Sequence, residues 1–391
     1  MSSVLRKEEI GFPMKSFSWD TACGRRLARH YLLEPVPKAR LVDAVRTVGG
    51  IQAQILSAAE LAIGVRVAEV TRQDVQAELW ERHSVVKTYG PRGTLHLLPA
   101  DELPLWMAAL QASAMLREAH WYAVAGLEST QAEALLDAIG ETLDSRCLTR
   151  QELADEVARR VGEWARERLL SAWGEFLAPA AFTGRLCFGP SKGSQVTFVR
   201  ADQWIGHWQE RDPGEALAEV CRRYFAAYGP ARPQDFAHWF RLKPDEARRV
   251  MAVLGDELEE VDLAGRRTWM LATDAQEEWE PQPGSLRLLP QYDCYILGCG
   301  PREWVVPDAA RTRVLAHGRG RFEGATALPV LLIDGVVAGM WERRKRGSRV
   351  ELRVESFSQL TALQYGQLEA EAAHIGAFLE MEVTLSVGSL G

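Results

Sequence analysis

Apolar residues recur at helical spacing over the N-terminal part of the chain. The spacing predicts helices over Thr21–Tyr31, over Lys38–Gly49 with a continuation to about Val65, and over Gln73–Glu81. Two short β-rich runs then flank Gly90-Pro91-Arg92-Gly93 between Ser84 and Leu98, the pattern of a hairpin. Three helices followed by a hairpin make a winged helix, a variant of the helix-turn-helix. The pattern returns twice. Thr149 with Glu152 is a capping box opening a helix to about Val161, and a further helix is expected near Glu167–Ala181. Gly184–Phe188 and Gln195–Val199 flank the turn Gly189–Ser194 as a second wing. The third round has helices over Gly214–Tyr228, Pro233–Arg241 and Pro244–Leu254, then a wing from Leu258–Asp262 and Arg267–Leu271.

Past Gln276 the texture changes. Pro281, Pro283 and Gly284 form a linker, and β-rich runs follow at Leu286–Leu289, Tyr292–Leu297, Ala327–Asp334, Val336–Trp341 and Val350–Ser356. Asp334-Gly335 is the strongest short hairpin signal in the chain. A last helix, Leu360–Phe378, precedes a strand over Leu379–Ser386. The expected fold class is α+β, with three tandem winged-helix units followed by a small β-barrel-like domain. The boundaries are a flexible lead-in at 1–17, units at 18–145, 146–212 and 213–276, and the barrel-like part with its closing helix at 277–391.

Composition narrows the class. The 391 residues give room for about two to four packing units. No apolar run approaches the ~18 residues of a membrane span, and Lys7, Glu8 and Glu9 break any signal-peptide pattern. Six scattered cysteines without a CxxC pair fit a reducing cytoplasm and argue against disulfides or structural zinc. The net charge of −7 is uneven: Gly300–Arg353 holds eleven Lys and Arg against six Asp and Glu. That stretch is either a solvated basic face or a phosphate-contacting patch. Its candidates are Arg319, Arg321, Arg343, Arg344, Lys345, Arg346 and Arg349.

Val48-Gly49-Gly50-Ile51-Gln52-Ala53-Gln54 stands apart from its apolar surroundings. Two glycines weaken a helix and let other groups approach, and buried glutamines need partners. Spacing alone also fits a helix kink with two solvated amides. No P-loop, HExxH or GxSxG is present, and no histidine pair has ligand spacing, so neither a metal nor a cofactor is expected. Arg92, Thr94 and His96 cluster on the first wing, where they can lie near Gln52 and Gln54. Asp293, in Pro290-Gln291-Tyr292-Asp293, opens the last part of the chain and also fits plain turn chemistry.

Five stretches stand in order: Gly50–Gln54, Tyr89–Leu97, Ala227-Tyr228-Gly229-Pro230, Asp235–Trp239, and Leu288–Asp293 with Leu297-Gly298. Together they resemble the AlkZ/AlkX (YcaQ-like) family of bacterial winged-helix DNA glycosylases, from about Ser18 to Phe357. The resemblance implies three winged helices and a barrel-like domain around double-stranded DNA that carries alkylated purines. It puts Gln52 and Gln54 on the family's catalytic Gln-x-Gln motif, nearer the AlkZ branch than the Gln-x-Asp of the AlkX branch. Gly50, Arg92, Thr94, His96 and Asp293 become pocket candidates. Ala53 is smaller than the family's usual apolar middle residue, which enlarges or relaxes the pocket and leaves the identity of the substrate open. AlkZ-type members often protect producers of DNA-alkylating antibiotics.

The chemistry agrees. N7 alkylation makes guanine a cationic leaving group, so no general acid is required. Two amide oxygens can hold the attacking water and stabilise an oxocarbenium-like sugar. No active-site lysine is needed, so no lyase step is expected, and the chain is expected to act as a monomer. Two other readings compete: a non-catalytic winged-helix regulator, with an exposed recognition helix and usually a dimer, and a protein that sequesters the alkylating drug.

Overall fold

The computed structural model describes residues 14–114, 126–171, 176–316 and 328–390. These residues make a mixed α+β fold with four separate sheets. Strand β1 (Ser16–Phe17) ends the lead-in. The first helix, Trp19–Arg29, starts where the Ser18 hydroxyl accepts from the Thr21 amide. Arg25 and Arg26 on this helix are buried. They donate to carbonyls of Ala226, Tyr228, Gly229, Pro230 and Gly300 and so tie the N-terminus to the third helical unit.

The expected helix from Lys38 to about Val65 is broken. Leu41–Thr47 is helical, but Gly49 (φ +72°) and Gly50 (φ +89°) turn the chain into a two-residue strand, β2 (Ile51–Gln52), before the helix Leu56–Gly64. The left-handed backbone at both glycines cannot continue a helix. The helix Arg72–Trp80 follows, with a Thr71/Asp74 capping box. Strands β3 (Val85–Tyr89) and β4 (Leu95–Pro99) form the first hairpin, and the sheet runs β2-β4-β3.

The helices Ser129–Thr142 and Arg150–Val161 pack with Glu163–Leu170, Leu177–Phe182 and the sheet β5 (Leu148–Thr149), β6 (Cys187–Lys192) and β7 (Gln195–Val199) around their own core. The Thr149/Glu152 capping box opens Arg150–Val161 as the sequence implies. The single helix expected near Glu167–Ala181 is two helices on either side of the undescribed 172–175. The next helices, Pro213–Tyr228, Pro233–Phe240 and Pro244–Leu254, precede β8 (Leu258–Leu263) and β9 (Arg266–Leu271), and β1 pairs in parallel with β8.

The last part is a five-stranded half-barrel sheet. It consists of β10 (Leu286–Leu289), β11 (Val330–Ile333), β12 (Val336–Arg346), β13 (Arg349–Ser356) and β14 (Glu382–Val387) in sequence order, with the helix Ala362–Leu379 against it. Among the described residues it is an open sheet with edges at β10 and β14, a half-barrel where a barrel-like domain is expected. Tyr292–Leu297 is not a strand. Asp293 accepts from the Tyr295 amide at 2.9 Å and caps a helix over Cys294–Gly298. An apolar run this short has no period to tell helix from strand, and the cap decides.

The first and third units and the final sheet share one hydrophobic core. Tyr224, Tyr228, Phe236 and Trp239 form its aromatic centre. The Tyr228 hydroxyl donates to the Val48 carbonyl at 2.7 Å, just before the two glycines. No helix among the described residues is long and apolar enough to cross a membrane.

Candidate active site

Gln52 owes its position to the glycine turn and to β4. The β2–β4 register sets Ile51 opposite Leu97 and Gln52 opposite His96, and the Ala53 amide donates to the Leu95 carbonyl at 2.6 Å. A Cβ at Gly50 would lie 2.5 Å from Leu98 Cδ2 and 3.2 Å from the Leu97 carbonyl oxygen, and one at Gly49 would lie 3.0 Å from Trp239 Cζ2. The close approach of β2 to β4 and to the third unit therefore requires residues without side chains. Strand alternation sends Ile51 into the core and Gln52 to the other face, where it is only 7% exposed. Gln54 follows at an exposed bend, and among the described residues no hydrogen bond holds its amide.

The Gly90–Gly93 turn brings the next group. Arg92 has a left-handed backbone (φ 63°), and the Thr94 hydroxyl donates to the Pro91 carbonyl at 3.1 Å. From this turn Arg92 Nη2 donates to Gln52 Oε1 at 2.7 Å and Nη1 to the Trp239 carbonyl at 2.9 Å. The guanidinium thus fixes the Gln52 amide and bridges the first and third units. His96 is buried with Nδ1 2.9 Å from the Thr94 carbonyl. Burial, then the Arg92 charge, brings it down to about 3, so the ring is neutral and offers no proton at neutral pH.

Gln52, Arg92, Thr94 and His96 are legible as neighbours in the sequence, but the cations that join them are not. Arg241 donates to the Arg92 carbonyl at 3.2 Å. Burial lowers Arg302. The charges of Arg302 and Arg92 add to burial in lowering His238, and burial brings Arg92 itself down to about 10. Among the described residues, Arg92, Arg241 and Arg302 form no ion pair, while most other arginines do. The stretch Asp235–Trp239 is the available signal. It marks the resemblance, but nothing local in it points to Gln52.

Among the described residues Asp293 bonds to neither Gln52 nor Arg92. It holds Arg66 with two bonds of 2.7 and 2.8 Å, and both side chains are fully buried. Of the basic-patch candidates, Arg344, Arg346 and Arg349 pair with Glu342, Glu351 and Glu382. Arg343 donates to the Ser57 hydroxyl at 3.2 Å, near the start of the helix that follows Gln54. Lys345 is exposed. Arg319 and Arg321 lie outside the described residues.

Comparison with known proteins adds three findings. A family model described as DNA glycosylase AlkZ-like matches residues 45–378. An interstrand DNA cross-link repair glycosylase of Streptomyces sahachiroi is 34% identical over 366 residues, covering 92% of this chain and 95% of the relative. The solved structure of Streptomyces sahachiroi DNA glycosylase AlkZ superposes with a TM-score of 0.80 at 32% identity, covering 96% of this chain and all of that one.

Proposed function

Because the chain belongs to the AlkZ-like DNA glycosylase family, we propose that it hydrolyses the N-glycosidic bond of N7-alkylated purines in double-stranded DNA, bulky adducts and interstrand crosslinks included. The relative's cross-link repair activity supports the crosslink part of this reading. The three helix-and-hairpin units act as winged helices around the duplex, and the half-barrel sheet lends the β12–β13 hairpin to the phosphates through Arg343, Arg344, Lys345, Arg346 and Arg349. Self-resistance to a DNA-alkylating natural product is the role this substrate class suits.

One observation carries the reading: Gln52 is locked by Arg92 on a strand next to Gln54, whose amide has no hydrogen bond among the described residues. The alkylated base leaves without protonation because it already bears a positive charge. Gln54 holds the attacking water through its amide oxygen. Gln52 turns its oxygen's second lone pair and its amide dipole toward the sugar, where positive charge develops. Neither amide removes a proton early, so the enzyme acts where the bond is already labile. The regulator reading needs base-reading side chains on an exposed helix. The buried, arginine-locked Gln52 is an unsuitable reader.

The test is incubation with a duplex carrying one N7-alkylguanine, followed by detection of the free base and of alkali-labile abasic sites. Release of the base without strand cleavage by the protein is expected. Tight binding with no base released would leave the regulator reading instead.

A further inference from the structure

Among the described residues Arg92, Arg241 and Arg302 have no carboxylate partner, and Arg92 holds the Gln52 amide beside which the cationic sugar is proposed to form. Among the described residues Arg92 bonds only to neutral acceptors, Gln52 Oε1 and the Trp239 carbonyl. Arg241 is exposed and leans on the Arg92 carbonyl. Arg302 opens the short helix Arg302–Val305 and donates to the Ile296 carbonyl at 3.5 Å; Ile296 lies on the helix Cys294–Gly298, which packs on the helix Pro233–Phe240 that carries His238 and Trp239. Cations of one sign, here two half-buried and one exposed, repel one another and oppose further positive charge nearby. Left alone, this arrangement would raise the barrier for an oxocarbenium-like sugar. An anion arriving with the substrate offsets part of that charge and lowers the barrier again.

We propose that Arg92, Arg241 and Arg302 form a socket for one DNA backbone phosphate beside the scissile nucleotide, and that Arg92 couples its occupation to the orientation of Gln52. The inference rests on the glycosylase reading and adds the site's second ligand. Guanidiniums suit a phosphate because they donate two parallel bonds to its oxygens. Arg92 uses separate nitrogens for Gln52 and Trp239. Its left-handed backbone at the tip of the first hairpin holds it in that bridge. A phosphate seated here offsets one of the three positive charges, so the cluster opposes the cationic sugar less. A positioning role for Arg92 follows, because the same guanidinium that meets the phosphate also fixes the Gln52 oxygen.

A methylphosphonate scan tests this. Duplexes with one N7-methylguanine carry a single neutral linkage at successive positions around the lesion, and both base release and duplex Kd are measured. For the unaltered protein one linkage should slow base release by about 10- to 100-fold, the scale of losing a charge-assisted contact. In Arg241→Ala and Arg302→Ala the same linkage should cost little further, because the partner is already gone. Arg249→Ala, an exposed arginine on the helix Pro244–Leu254, should keep the full linkage penalty. Penalties that multiply in Arg241→Ala and Arg302→Ala, or a scan with no sensitive linkage, would overturn the socket. If the protein releases no base from any duplex, the glycosylase reading falls, and the socket is still decided by the pattern in Kd.

Discussion

Asp293→Asn separates a structural aspartate from one that acts on substrate. Arg66 and Asp293 are both fully buried and exchange two hydrogen bonds of 2.7 and 2.8 Å. Arg66 donates once more, to the Ala62 carbonyl at 2.8 Å, and Asp293 caps the helix Cys294–Gly298 through the Tyr295 amide. Asparagine keeps the volume, and its amide oxygen can keep the cap. What it removes is the charge, leaving a guanidinium in the shared core without a counter-ion. Breaking a buried pair from one side costs about 3–5 kcal/mol. We expect Asp293→Asn to unfold at clearly lower urea in tryptophan fluorescence, with base release per folded molecule close to that of the unaltered protein. Replacing both partners, Arg66→Met with Asp293→Leu, should recover much of the loss, since no unpaired charge remains. A variant with an unchanged urea midpoint and base release abolished would refute this reasoning and return Asp293 to the substrate.

Gln52→Ala and Gln54→Ala should each slow base release by about 10- to 1000-fold with little change in duplex Kd, and Gln54→Asp should stay active. An unslowed Gln52→Ala, Gln54→Ala double variant would remove the proposed chemistry. Gly50→Ala forces a side chain into a left-handed backbone against Leu98 and the Leu97 carbonyl, so a loss of about 1–3 kcal/mol in unfolding free energy should accompany slow base release. Normal stability with normal rate would deny that the close approach matters. His96 stays neutral in the folded state down to about 3, whereas the unfolded chain protonates it near 6.5. The unfolded state therefore binds the extra proton, and stability should fall with pH below about 6.5 by up to about 1.4 kcal/mol per pH unit. His30, lowered by burial and by Arg66, adds to the same slope. A flat urea midpoint between pH 7 and 4.5 would contradict both assignments, and His96→Gln should flatten the profile in part. Arg343→Ala with Arg344→Ala should weaken binding to duplexes of any sequence and make its salt dependence shallower. Unchanged affinity and slope would take the β12–β13 hairpin out of the interface.

Elements set by their own neighbours are legible in the chain. Thr149 and Glu152 announce a capped helix because both partners lie within one turn. Asp334-Gly335 announces a hairpin because both residues accept positive φ, and both adopt it. Pro233 and Pro244 mark helix starts because a missing amide proton costs nothing there. The two amides of Gln52 and Gln54, out of place in an apolar stretch, are visible at the same local level.

Tertiary packing decided the rest. Ile51 and Gln52 become a strand only because β4 meets them across the sequence, and two residues carry no strand signal of their own. Tyr292–Leu297 could have joined a sheet, yet the buried Arg66 holds Asp293 where it caps a helix. Arg92 is beside Gln52 because a left-handed turn aims it there. Arg241 and Arg302 join them only when the third unit and the segment after Gly298 pack against the first. Charge balance at the candidate site is a sum over groups far apart in the chain, and no local periodicity encodes such a sum.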